Sequence, residues 1–126
     1  MKIIWCYTGP SPANKDFPKK HDVIFRYSLN DDYVFNNDDI RVAYKATFTK
    51  ERGVHGAKNK DIDKLKEVHE RGKVPEDWWA DMSNVSAWRN ELVDYATQKP
   101  EALLQRIIKA SSDEGMVVAD FLVAAV

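Results

Sequence analysis

The order of apolar and polar positions divides this chain into short strands, loops and two helices. Residues 2–8 hold Ile3, Ile4, Trp5, Cys6 and Tyr7 in one apolar and aromatic run, which predicts a buried strand stopped by Gly9-Pro10. The stretch GPSPANKDFPKKH that follows is a loop, because its three prolines lack the N–H that a ladder needs. Residues 22–28 predict a second strand beside the first. Val23, Phe25 and Tyr27 lie on one of its faces, Ile24 and Arg26 on the other. Leu29-Asn30-Asp31-Asp32 is turn chemistry, since Asn and Asp tolerate the left-handed conformation and bond to their own backbone. A short strand around 33–35 and another over 40–48 are expected next.

Helical spacing occurs twice. Asp61 stands where an N-cap belongs, and Ile62, Leu65 and Val68 share one face until Gly72 and Pro75 end the run. Pro100 likewise opens a helix whose apolar face is Ala102, Leu103, Ile107, Ile108 and Ala110, closing at Ser111-Ser112. Residues 49–59, with Gly53, Gly56 and several lysines, read as a loop. Residues 75–95 fit neither period and predict irregular structure with short helical turns. Beyond the turn at Asp113-Glu114-Gly115, residues 116–121 predict a fully buried strand of the parallel-sheet kind. No internal repeat or low-complexity tract is visible. The fold class is α/β, with α+β as the alternative.

Bulk properties narrow the setting. With 126 residues the chain fits one domain, 1–126. Hydrophobic residues at 44% and charged residues at 31% match a folded globular protein. A formal charge of -1 gives no global field toward nucleic acid or an anionic membrane, so any such affinity must be local. No apolar run approaches the roughly 20 residues of a membrane span, and the first ten residues are too weakly apolar for a secretory signal. The lone Cys6 cannot form an internal disulfide. A cytoplasmic protein without membrane contact is expected.

The local exception in charge lies between positions 41 and 73. Arg41, Lys45, Lys50, Arg52, Lys58, Lys60, Lys64, Lys66, Arg71 and Lys73 stand against Glu51, Asp61, Asp63, Glu67 and Glu70, ten minus five, an excess of +5. Such a stretch is either a solvated face or a phosphate-contacting patch. Lys15, Lys19, Lys20 and His21 would extend it, and Tyr33 and Tyr44 would offer stacking surfaces. Trp5, Trp78, Trp79 and Trp88 supply either core mass or the walls of a groove. His21, His55 and His69 are too scattered for a metal site, and Cys6 within a strand is a small core residue rather than a nucleophile. Turn and cap roles account for Asp38, Asp39, Glu76, Asp77 and Asp81.

The run TQKPEALLQRIIKASSDEGMVVADF, together with KIIWCYTG and HDVIFRYS, resembles the amino-methyltransferases of DNA. These enzymes methylate adenine N6 or cytosine N4, and in this group the cofactor motif follows the target-recognition region. The resemblance spans most of the chain and implies a partial Rossmann-like methyltransferase sheet with an irregular recognition-like insertion. Residues 1–48 would be strand-rich, 49–95 recognition-like, and 96–126 the cofactor-side helix and C-terminal strand. It implies that Thr97, Gln98, Lys99 and Pro100 form a wall of the S-adenosylmethionine pocket, and that Asp120 and Phe121 are the remnant of the cofactor strand. It also implies DNA contacts by Arg41, Lys45, Lys50, Arg52, Lys58, Lys60 and Lys64.

The departures from the family bear on activity. Where the family has Asp-Pro-Phe and a glycine-rich turn, this sequence reads Ala119-Asp120-Phe121-Leu122-Val123-Ala124-Ala125-Val126. Only glycines let the backbone crowd a ligand at such a turn. Asp94-Tyr95-Ala96 replaces the usual Gly-Tyr-Pro, and the Asp-Pro-Pro-aromatic motif that grips a flipped base does not occur in these residues. The expectation is a methyltransferase-like fragment without catalytic residues of its own, binding no cofactor in isolation and DNA weakly. Two alternatives are a non-enzymatic interaction or structural protein, as a homodimer or partner complex held by the apolar residues 116–126 and exposed tryptophans, and one chain of a split S-adenosylmethionine-dependent DNA methyltransferase.

Overall fold

A computed structural model describes residues 1–10, 14–45, 61–85, 91–93 and 97–121. The chain divides into two compact units, Met1–Asn36 with Glu76–Val126, and Asn37–Pro75. Among the described residues the architecture is α/β: a mixed three-stranded sheet and two helices.

In the first unit, β1 (Lys2–Cys6) is the middle strand of the order β2-β1-β3. β2 (His21–Phe25) runs antiparallel to it, with Ile3 opposite Ile24 and Trp5 opposite Asp22. β3 (Trp78–Trp79) runs parallel, with Trp5 beside Trp79. The two-residue period of β1 sends Ile3 and Trp5 to the same face, and both are buried. Trp79, Met82 and Leu103 close over them, with Tyr7, Ile24 and Ile107 at the margin. Trp5, 2% exposed, donates its indole N–H to the Met82 carbonyl at 3.0 Å, so this large core side chain also satisfies its polar atom.

Leu103 belongs to the helix Glu101–Ser111, which turns this one side chain fully into the core. Pro100 precedes the helix without a side-chain cap, and the Glu91 carboxylate accepts the Glu101 N–H at 3.0 Å instead. At the other end Asn36 donates its backbone N–H to the Ala110 carbonyl at 2.9 Å. Its side-chain amide donates to the Ser112 carbonyl at 3.1 Å. Arg106 pairs with both carboxylate oxygens of Asp81 and lies 5.1 Å from the Trp79 ring centroid, tying this helix to the β3 segment.

The second unit holds α1 (Ile62–Arg71), which makes the Glu101–Ser111 helix α2. Asp61 caps α1 by accepting the Asp63 N–H at 3.0 Å, and Gly72 ends it at φ 79°. A Cβ at Gly72 would sit 2.6 Å from the Val42 carbonyl oxygen, so glycine is required both for its dihedral and for room. Val42 and Lys73 exchange two backbone hydrogen bonds of 2.9 Å as an isolated antiparallel bridge.

Four expectations are corrected. Residues 33–35 form no strand; Arg26 lies over Tyr33 at 4.4 Å and over Phe35 at 5.2 Å, so these rings meet a side chain rather than a ladder. Over 40–45 only Val42 makes a bridge, and 46–48 lie outside the described residues. Trp78–Trp79, expected to be irregular, is a strand because Ile4 donates its N–H to the Asp77 carbonyl at 2.8 Å and draws the chain alongside β1. Residues 116–120 pair with no strand, and Val117 is 93% exposed. β2 and β3 take both edges of β1, and residues 116–120 pair with neither of those outer strands. An apolar run is buried only where a neighbour exists to cover it.

Candidate functional site

Residues 97–100 form the turn that enters α2, and their side chains point to different tasks. Pro100 is buried, and Thr97 and Lys99 are exposed. The Gln98 side chain accepts the Val93 N–H at 2.9 Å and donates to the Glu91 carbonyl, bridging back to the segment before it. Lys99 donates to the Asp22 carboxylate at 2.7 Å, and its ammonium lies 5.4 Å from the Trp5 ring centroid.

Asp22 occupies this place because the antiparallel register sets it across from Trp5. Its second carboxylate oxygen accepts the Tyr7 hydroxyl at 3.3 Å. The hydrogen bond from Lys99 holds the Asp22 carboxyl below its ordinary range, against the opposing effect of burial. Burial foremost, and then the Asp22 charge, push the Tyr7 hydroxyl up. Tyr7 and Trp5 rings are 5.0 Å apart, so a buried aromatic floor lies under an ionic pair. Sequence reading missed Asp22, Tyr7 and Glu91 as parts of this site. Their separation along the chain hides them, and only the β1–β2 register would have pointed to Asp22.

Asp120 and Phe121 are exposed, Phe121 at 93%, and residues 122–126 lie outside the described residues. Of the basic residues, Lys50, Arg52, Lys58 and Lys60 also lie outside them. Arg41 is mostly committed inside its own unit: its guanidinium pairs with Asp38 at 2.6 Å and donates to the Gly72 carbonyl at 3.0 Å. Lys45 and Lys64 are exposed. Tyr44 stacks on His69 with ring centroids 4.9 Å apart. Among the described residues no cluster of His, Cys, Asp or Glu could hold a metal ion, and no helix is long and apolar enough to cross a membrane.

Residues 1–123 match the family of N6/N4 methyltransferases, described as DNA methylase, and the chain belongs to that family. It is 33% identical over 124 residues to the DNA adenine methyltransferase YhdJ of Escherichia coli (strain K12), covering 94% of this chain and 39% of that protein. Similarity to the type II methyltransferase M.BglII of Bacillus subtilis is 30% over 121 residues, or 94% of this chain and 31% of the relative. For the type II methyltransferase M.HpaI of Haemophilus parainfluenzae it is 32% over 119 residues, or 94% and 32%. The chain therefore spans about a third of the length of these relatives.

Proposed function

We propose that these residues supply the target-recognition region and one wall of the cofactor site of an S-adenosylmethionine-dependent DNA amino-methyltransferase, and that they do not catalyse transfer alone. The observation that carries the reading is the 97–100 turn, held in one geometry by its own Gln98 and Lys99 while Thr97 stays open to a ligand. The residues fit the cofactor on that side only. No glycine follows Gly115 and no Asp-Pro-Pro occurs in the 126 residues, so the opposite wall and the grip on the target base belong to residues outside them. Bound S-adenosylmethionine would contribute the methyl group. This chain's part is to shape the pocket and to orient DNA, through Lys45, Lys64 and their basic neighbours in sequence. A partial Rossmann-like sheet, completed by strands from elsewhere, is part of the same reading.

Calorimetric titration of the chain with S-adenosylmethionine tests it. Heat no greater than that of weak, millimolar association is expected, with tritiated methyl transfer to an oligonucleotide only when the missing motifs are supplied by an added polypeptide. Methylation by the chain alone overturns the claim of dependence. A duplex that fails to shift in low salt at tens of micromolar protein removes the DNA-binding part.

A second reading concerns association. Met116, Val117, Val118 and Phe121 are exposed together, which favours a homo-oligomer or a partner chain packing on this segment. Light scattering that returns a monomer at high concentration, with and without the added polypeptide, removes it.

A further inference from the structure

Two of the four side chains in the 97–100 turn are already engaged within the protein. We propose that Lys99 is a positioning residue, locked by Asp22 above the Trp5 ring so that the turn keeps one orientation, and that it makes no contact of its own with a bound donor. The proposal rests on the reading of this turn as a cofactor wall, though the lock itself stands on geometry alone.

The floor of the lock is rigid. Trp5 is the most deeply buried large side chain among the described residues and is anchored through its indole N–H to the Met82 carbonyl. The Lys99 ammonium is located in two directions, 5.4 Å from the ring below and 2.7 Å from the Asp22 carboxylate beside it. The carboxylate is in turn restrained by the Tyr7 hydroxyl at 3.3 Å and by its place in the β1–β2 ladder. On the opposite side Gln98 grips the backbone at 91 and 93, and Glu91 accepts the first N–H of α2. The turn is therefore pinned to β2 through Lys99 and to the backbone at 91 and 93 through Gln98.

The test compares Asp22→Asn, Lys99→Met, the double variant and the charge reversal Asp22→Lys with Lys99→Asp. Amide hydrogen exchange at Val93 and Glu101 is followed without ligand. Each single change is expected to speed exchange about three- to fivefold. The double change should add nothing further, and the reversal should restore much of the protection. Lys99→Arg, which keeps the charge, guards against a misfolded variant and should remain protected. Exchange that ignores both single changes overturns the lock. Titration with S-adenosylmethionine supplies the second arm, in which both single changes should weaken whatever binding exists by the same factor. Loss with Lys99→Met alone would make Lys99 a ligand contact and overturn its positioning role. Absence of binding even when the added polypeptide supplies the missing motifs, with exchange behaving as expected, would fell the cofactor reading and leave the lock standing.

Discussion

In the unit Met1–Asn36 with Glu76–Val126, the side chains Ile3, Trp5, Trp79, Met82 and Leu103 close over one another, whereas among the described residues of Asn37–Pro75 the one buried apolar side chain is Ile40. The first unit is held by apolar area and by a tryptophan whose polar atom is satisfied. The second is held by backbone exchange at Val42 and Lys73, the Asp61 cap, the Gly72 turn and the Arg41 fork. No side chain of α1 is buried, while α2 inserts Leu103. A packed core can hold a turn to one orientation; a framework of caps and bridges keeps its charged side chains at the surface. The proposed division of labour, cofactor wall in one unit and phosphate contacts in the other, follows that difference.

Trp5→Ala should produce the largest effect, about 3–5 kcal/mol of lost stability, because it removes both packing and the anchor to Met82. Urea unfolding would measure it, and a cost below 1 kcal/mol would erase the contrast between a core-held and a cap-held unit. Gly72→Ala should act on the other unit alone and cost about 2 kcal/mol, since the new methyl meets the Val42 carbonyl in a left-handed conformation. Faster exchange of the Val42 and Lys73 amides, with those of β1 unaltered, is the signature to look for. Asp61→Ala should weaken α1 by about 1 kcal/mol through loss of its cap, visible as reduced helical circular dichroism.

Acidification should have a smaller effect through Asp22, in the first unit. Asp22 titrates below the ordinary carboxyl value of 3.8 in the folded chain, so its contribution is complete above that value and is lost as pH falls through the lowered pKa. The carboxylate is 38% exposed, and solvent screening keeps the contribution under about 1 kcal/mol. Thermal unfolding of wild type and Lys99→Met should converge at the acid end; parallel curves would count against the pair. Smallest of all, Lys64→Gln should lower the salt slope of duplex binding by about one, with stability unchanged. A slope that stays the same places Lys64 off the phosphate path.

Several elements were legible because they depend on neighbours in sequence. The Asp61 cap, the Gly72 stop, Pro100 ahead of α2 and the apolar run of β1 all state local preferences, and the structure follows them. The motif at 97–100 was equally plain, and so was the family. What local pattern could not convey was which side chains of that motif face inward to the protein. Resemblance places Gln98 and Lys99 in a remnant cofactor wall, and the structure adds that their polar groups meet Glu91, Val93 and Asp22.

By itself, then, the order of residues determined the two helices with their ends, the central strand and membership in the DNA methylase family, since each rests on short-range spacing or direct likeness. Tertiary structure alone decided that Trp78–Trp79 becomes a strand, that 116–120 lies exposed, and that Asp22 meets Lys99 across Trp5. Those outcomes depend on which strand edges are taken and which register aligns them, and both are properties of contacts between residues far apart in the chain.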